Sequence, residues 1–303
     1  MRRLAAAIVG AGLVGLAGFW VLTRPADLPA ATLSLLASHP ADAARGEAVF
    51  WAAGCASCHA APGVAASAPV DQRVILAGGR RFASPFGTFT APNVSMHPTA
   101  GIGTWTLAQF ARALLLGVSP EGAHYYPAFP YTTYAHATAA DVADLWAFWQ
   151  GLPAIDTPSQ PHELGFPFTL RRGLGLWKLL NLTDEFVMAE ASDPVIERGR
   201  YLVEALGHCG ECHTSRDALG GLRRDNWLAG GPNPAGEGRI PAVPPQGWGA
   251  SDIANYLQSG FTPSFDVVGG EMADVVANIG RIAPEDRAAI AAYLLALRSS
   301  PSL

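Results

Sequence analysis

The chain has 303 residues, of which 50% are hydrophobic, a fraction large enough to bury the cores of about two ordinary domains. The 25 acidic residues outnumber the 20 basic ones, which gives a formal net charge of −5. This balance argues against nucleic acid as a partner.

An uncharged apolar run, residues 4–23, follows Arg2 and Arg3. A helix rises about 1.5 Å per residue, so this run can span the roughly 30 Å hydrocarbon core of a bilayer. Trp20 and Arg24 at its end suit a membrane interface, and the arginines before it favour a cytoplasmic N-terminus. We predict a membrane anchor over residues 1–24 and a tether over residues 25–41. A cleaved signal peptide and a buried core helix are the alternatives.

A cysteine motif, Cys55-Ala56-Ser57-Cys58-His59, follows a predicted helix that starts after Asp42 and ends near residue 53. It recurs as Cys209-Gly210-Glu211-Cys212-His213. In this pattern, two thiols one helical turn apart bind the vinyl groups of one haem, and the histidine takes the proximal position on iron.

The two motifs use all four cysteines of the chain. Zinc-binding cysteine pairs normally lie much closer together in sequence, and a thioredoxin-like redox pair would need a βαβ context. We therefore predict two covalently attached haem c groups. The attachment residues are Cys55, Cys58, Cys209 and Cys212, and the proximal iron ligands are His59 and His213.

Hydrophobic periodicity predicts further helices over residues 107–116, 140–150, 251–259 and 285–297, with Gly117 and Gly260 as stop signals. A short extended piece is expected over residues 88–91. Residues 154–192 connect the two halves, and residues 170–180 within them have a basic amphipathic pattern. We favour a connector packed between the domains for that segment, and a helix lying on membrane lipid is the alternative.

Several short stretches recur in the same order in both halves. Arg45-Gly46 corresponds to Arg198-Gly199, and Ala77-Gly78-Gly79 corresponds to Ala229-Gly230-Gly231. The order and spacing predict an internal duplication, with one haem in each copy. The domain boundaries are then 42–153 and 193–303.

Two other stretches carry a resemblance to a known protein family. They are Tyr126-Pro127-Ala128-Phe129-Pro130-Tyr131 and Gly269-Gly270-Glu271-Met272. With the haem motifs, they make residues 42–299 similar to the membrane-anchored dihaem cytochromes c that are related to the cytochrome subunits of bacterial alcohol dehydrogenases.

This resemblance implies an all-α fold, in which an N-terminal transmembrane helix precedes two tandem class I cytochrome c domains. It implies a location at the bacterial inner membrane, with a single anchor and with both haem domains in the periplasm. It also implies that the protein passes electrons from a periplasmic dehydrogenase or from quinol to an acceptor cytochrome or terminal oxidase.

The sixth iron ligands differ between the two copies. Met272 lies 59 residues after His213, where this family places its axial methionine, and a thioether ligand raises the reduction potential. In the first copy, Phe129 and Ala137 stand where the methionine is expected. The candidates there are His136, Met96 or an open position.

The missing methionine suggests a second hypothesis, a dihaem enzyme of peroxidase type. Such an enzyme would bind a small oxidant at an open first haem and would need a polar acid or base beside it. His124 and His136 are the candidates for this role, although either could be an ordinary loop residue.

Overall fold

The computed structural model describes residues 1–191, 193–233, 236 and 238–299. It begins with helix α1 (Arg2–Leu22), which has no buried residue. This exposure excludes the buried core helix. Within the described ranges, α1 is the one helix long and apolar enough to cross a membrane.

Most of the remaining regular structure is helical, in two sets joined by the connector. The first set contains α2 (Ala30–Ser38), α3 (Ala43–Ala52), α4 (Cys55–His59), α5 (Val70–Arg73), α6 (Leu107–Leu116), α7 (Tyr131–Tyr134) and α8 (Ala139–Trp149). The connector contains a 3-10 turn (Arg171–Gly173) and α9 (Leu174–Asn181). The second set contains α10 (Pro194–Tyr201), a π-helical turn (Leu202–Leu206), α11 (Gly210–His213), a 3-10 turn (Arg224–Asn226), α12 (Ala250–Ser259), α13 (Met272–Ile279) and α14 (Pro284–Ser299).

In the part of the chain that the structure describes, two small antiparallel sheets accompany the helices, so the fold is helix-rich rather than wholly helical as predicted. Strands β1 (Arg81–Ser84), β2 (Gly87–Thr90) and β3 (Glu163–Leu164) lie in that order in the first sheet. Strand β4 (Gly231–Pro232) pairs with β5 (Arg239–Ile240) in the second. Only β2 overlaps a predicted extended piece, because strands of two to four residues leave almost no periodic signal.

The segment predicted as a tether, residues 25–41, contains regular structure. Nine of them form α2, which packs against α8, and Leu28 and Leu36 are buried in the core. The segment after α1 is therefore folded onto the first half of the molecule.

The repeated Arg-Gly pairs lie where the helices of each half cross. A Cβ atom at Gly46 on α3 would lie 1.9 Å from the carbonyl oxygen of Asp144 on α8. A Cβ atom at Gly199 on α10 would lie 1.9 Å from the carbonyl oxygen of Ala289 on α14. Only glycine allows these two backbone approaches, which explains why both positions lack a side chain.

The arginine of each pair binds an aspartate on the crossing helix. Arg45 donates from Nε to Asp144 at 2.7 Å, and Arg198 donates from Nε to Asp286 at 2.7 Å. The same crossing, with the same glycine, thus occurs in both halves. In each half an aspartate of the crossing helix binds the arginine, but the residue equivalent to Asp144 is Ala289, so the two ion pairs lie at different positions.

Asp144 is buried and also receives bonds from the backbone N–H of Asp42 and from the ring of His39. Burial raises the pKa of Asp144, but the bonds from Arg45, Asp42 and His39 outweigh burial and hold that pKa below its usual value. A lowered carboxyl pKa contributes stability above the unfolded pKa, and this stability is lost as the pH falls through the folded pKa.

We therefore expect Asp144→Asn to lower the melting temperature of the holoprotein by several degrees at pH 7. The difference in melting temperature from the unmodified chain should shrink as the pH falls below about 4, where the unfolded carboxyl binds its proton, and should continue to shrink as the pH falls through the lower pKa of the folded carboxyl. Thermal unfolding, monitored by circular dichroism at several pH values across this range, measures the difference in melting temperature. A gap that does not change with pH would show that the charge of Asp144 is unimportant.

The two halves share one hydrophobic core. Phe50 and Trp51 on α3 belong to the same buried cluster as Leu202 and Val203 in the π-helical turn. Because these residues pack together, each half covers apolar surface that the other would otherwise expose.

Candidate haem-binding sites

His59 at the end of α4 is oriented by a backbone carbonyl. Its Nδ1 lies 3.0 Å from the carbonyl oxygen of Pro92 and donates to it. Gly78, with φ +68°, makes room for this loop, since a Cβ there would lie 2.3 Å from the carbonyl carbon of Pro92. The backbone N–H of Gly78 also donates to the carbonyl of His59 at 2.8 Å.

His213 at the end of α11 has the same arrangement. Its Nδ1 lies 2.8 Å from the carbonyl oxygen of Pro241, and the N–H of Gly230 donates to the carbonyl of His213 at 2.7 Å. Gly230 has φ +75°, and a Cβ there would lie 2.8 Å from the carbonyl carbon of Pro241. The repeated glycine pairs therefore bring a proline carbonyl to each histidine.

A histidine that donates from Nδ1 keeps the lone pair of Nε2 for a metal, and the bond fixes the ring and raises its basicity as a ligand. Burial lowers the pKa of His59 and of His213, which favours the neutral form that coordinates iron. Both histidines therefore fit the proximal role that a covalently bound haem requires.

The cysteines fit thioether attachment better than thiolate chemistry. Burial raises the pKa of Cys55 and of Cys209 to about 12, and that of Cys58 and of Cys212 to about 11. Such thiols are protonated at neutral pH. Among the residues that the structure describes, no group of three or more histidine, cysteine or acidic side chains is arranged to hold a metal ion. The zinc alternative therefore has no support.

The third residue of each motif binds to the opposite half of the molecule. Ser57 accepts a bond at 2.6 Å from the amide of Asn278 on α13. Glu211 accepts bonds from the hydroxyls of Thr132 at 3.0 Å and Thr133 at 3.3 Å, both on α7. The two motifs therefore face each other across the interface between the halves.

The residue before each motif has left-handed backbone geometry. It is Gly54 in the first half, with φ +65°, and His208 in the second, with φ +41°. A Cβ at Gly54 would lie 3.4 Å from Nε2 of His208. The His208 ring lies edge-on to Tyr134, whose hydroxyl donates to the carbonyl of Ala53 at 2.8 Å. These contacts hold a non-glycine residue in a rarely adopted conformation directly beside both motifs.

Met272, predicted as the sixth ligand of the second haem, is the first residue of α13. It is half-buried and packs against the core. Its neighbour Glu271 lies 3.7 Å from Arg80 and raises the pKa of both Cys58 and Cys212, although burial is the larger cause at each thiol. The turn that carries Met272 is thus close to both motifs.

The candidate sixth ligands of the first haem, His136 and Met96, have different surroundings. Both ring nitrogens of His136 face carbonyl oxygens, that of Thr133 at 3.0 Å and that of Glu185 at 3.1 Å. Met96 packs against the core four residues after Pro92, in the loop that holds His59. The contacts of His136 do not favour it as a ligand, and the sixth ligand of this haem stays a prediction.

His124, named above as an acid or base for a peroxidase, is buried beside the end of α1. Its Nε2 lies 2.9 Å from the carbonyl oxygen of Thr23. The Nδ1 atom of His124 is buried without a hydrogen-bond partner, whereas both ring nitrogens of His136 face carbonyl oxygens.

Comparison with known proteins agrees with this geometry. The sequence profile of the cytochrome c family matches residues 43–153. A dihaem cytochrome c-type protein of Cereibacter sphaeroides is 52% identical over 295 residues, which are 97% of each chain.

More distant relatives are dehydrogenase subunits. The fructose dehydrogenase cytochrome subunit of Gluconobacter japonicus is 34% identical, over 95% of this chain and 57% of its own length. The cytochrome c subunit of the quinone alcohol dehydrogenase of Gluconacetobacter polyoxogenes is 36% identical, over 74% of this chain and 51% of its own. The chain thus spans little more than half of these two relatives. Its match to the Cereibacter protein extends over nearly all of both chains, and two covalently bound haem c groups are supported. The chain belongs to the cytochrome c family, among its dihaem members.

Proposed function

We propose that the chain is a membrane-anchored electron carrier built from two tandem class I cytochrome c domains, residues 42–153 and 193–303. One observation carries this proposal: both motifs hold a histidine against a proline carbonyl, and they meet at one interface. The family profile matches the first half, and the repeated helix crossing supports the same fold for the second.

In each domain the chain's own residues bind and orient the cofactor. Cys55 and Cys58 would hold the first haem, and Cys209 and Cys212 the second. His59 and His213 would be the proximal ligands, with rings fixed by the prolines. Haem c supplies a one-electron redox centre at each of these positions.

Helix α1 and the haem chemistry support the proposed location. An apolar helix with no buried residue suits an anchor in the inner membrane, and covalent haem suits the periplasmic side of it. Two relatives of the chain are cytochrome subunits of dehydrogenases, so a periplasmic dehydrogenase, or quinol, is the proposed donor. An acceptor cytochrome or a terminal oxidase would take the electrons onward.

A reconstitution tests this function. Proteoliposomes that contain the full-length holoprotein are supplied with a quinol or with a quinone-dependent dehydrogenase and its substrate, and then with a cytochrome oxidase. Both haems should be reduced by at least one donor and reoxidised by the oxidase. Rapid turnover of peroxide with no transfer to the oxidase would favour the peroxidase hypothesis instead.

The proposed role of Met272 gives a spectroscopic prediction. Met272→Ala should abolish the methionine–ferric iron charge-transfer band of one haem and lower its reduction potential, because a thioether stabilises ferrous iron. Met188→Ala is the matched control, since Met188 is also half-buried and packs against the core. A band that persists in Met272→Ala would assign the ligand elsewhere.

The first haem is tested with Met96→Ala and His136→Ala in the full-length chain. Loss of a second charge-transfer band in Met96→Ala would identify methionine. Conversion of the first haem to high spin in His136→Ala would identify histidine, despite the two carbonyl contacts. A haem that is high spin before any substitution would indicate an open position.

A further inference from the structure

The connector between the halves has one face buried and one face exposed. Gly175 and Lys178 of α9 are buried. Lys178 Nζ donates to the carbonyls of Leu116 at 2.6 Å and Gly117 at 2.7 Å, at the end of α6. These bonds fix the orientation of α9 on the first half of the molecule.

The opposite face of α9 exposes large apolar side chains. Leu176, Leu179 and Leu180 lie at i, i+3 and i+4 and are 40%, 61% and 75% exposed. Leu170, just before the helix, is 60% exposed. We call these four leucines the apolar ridge. Leaving several large apolar side chains of one short segment in water is unfavourable, so a partner is expected.

The ridge adjoins the end of α1. A Cβ at Gly175 would lie 2.5 Å from Cα of Thr23, so the backbones of α9 and α1 are in contact. Arg172 donates from Nε to the hydroxyl of Thr23 at 2.8 Å and from Nη2 to the carbonyl of Trp20 at 2.6 Å. Its guanidinium also lies 4.4 Å from the centre of the Trp20 ring. The segment around α9 is therefore held at the point where α1 would leave the bilayer.

We propose that the apolar ridge lies in the outer interface of the same bilayer that α1 spans. This inference rests on the proposed anchor. An amphipathic helix at an interface buries its apolar face about 5–10 Å into the headgroup and acyl boundary. Trp20 and Arg172, stacked beside the ridge, are residue types that favour headgroup depth. The ridge would thus fix the tilt of the haem domains relative to the membrane.

The test is photo-crosslinking to lipid in the full-length holoprotein. All four native cysteines are used by the haems, so an introduced cysteine would be the one free thiol available for a benzophenone label. The label is placed at Leu180→Cys, at Gly12→Cys within α1, and at Phe265→Cys. Phe265 is an 85% exposed apolar residue of the second half and serves as the matched control. Each variant must retain both haems.

We expect phospholipid adducts by mass spectrometry at Leu180→Cys and Gly12→Cys, and none above background at Phe265→Cys. Adducts at Gly12→Cys alone would overturn the inference and leave the anchor intact. No lipid adduct at any position would contradict the anchor itself. A crosslink from Leu180→Cys to protein would overturn the inference and would show that the apolar ridge contacts a partner subunit or a second copy instead of lipid.

A second variant tests the ridge without relying on one label. Leu179→Glu with Leu180→Glu should reduce lipid adducts at Leu176→Cys to the level of the Phe265 control, because the carboxylates oppose burial in the acyl region. Val195→Glu with Phe261→Glu, at apolar positions of the second half that are 51% and 50% exposed, is the charge-matched control and should leave the adducts unchanged. Equal adducts in all three proteins would overturn the proposal.

Discussion

Gly46→Ala and Gly199→Ala are each expected to lower the free energy of unfolding by about 3 kcal/mol, at the upper end of the range for overpacked sites. The added methyl would lie 1.9 Å from a carbonyl oxygen of the crossing helix, so the two helices must separate. Thermal unfolding of the holoprotein, followed by far-ultraviolet circular dichroism, measures the change.

The control for both is Gly173→Ala. No atom lies within 4 Å of a Cβ at Gly173, and its φ is −60°. Alanine there should be neutral or should stabilise by about 0.4–1 kcal/mol. Equal melting temperatures for Gly46→Ala and Gly173→Ala would contradict the close approach of α3 and α8.

Cys209→Ala combined with Cys212→Ala is expected to leave one covalent haem per chain instead of two. Each motif has its own pair of thiols, so loss of one pair removes one attachment site. The reciprocal pair, Cys55→Ala with Cys58→Ala, should give the same count. A pyridine haemochrome assay and a haem-stained denaturing gel measure the content.

Ser57→Ala is the control for the first motif, since it changes the same motif but keeps both thiols. It should retain two haems while it removes the bond from Asn278. A chain that loses both haems when one cysteine pair is changed would show that the halves do not mature independently.

Sequence reasoning identified the features that have local signals. The helix predicted over residues 107–116 is α6, and it ends at Gly117 in left-handed geometry as expected. The predicted helices over residues 140–150 and 285–297 differ from α8 and α14 by one or two residues at their ends. Capping residues and stop glycines determine such boundaries within a few residues, so they can be read from the sequence.

The features that were missed depend on contacts between distant residues. The glycine pairs were recognised as a repeat, but the proline that each pair brings to a histidine lies 33 or 28 residues beyond that histidine. Any carbonyl could have taken this role, since every residue has one. The engagement of His136 by Thr133 and Glu185, and the packing of α2, likewise depend on how the chain folds back on itself.

The contacts of Ser57 and Glu211 have a consequence for the rate of electron exchange within the molecule. Each motif is hydrogen-bonded to the other half, and the two halves share a core. The distance between the two haems is therefore fixed by the fold. Exchange between them should therefore not wait for the halves to diffuse and dock. Its rate should be insensitive to solvent viscosity, whereas delivery from a separate donor protein should slow as glycerol is added.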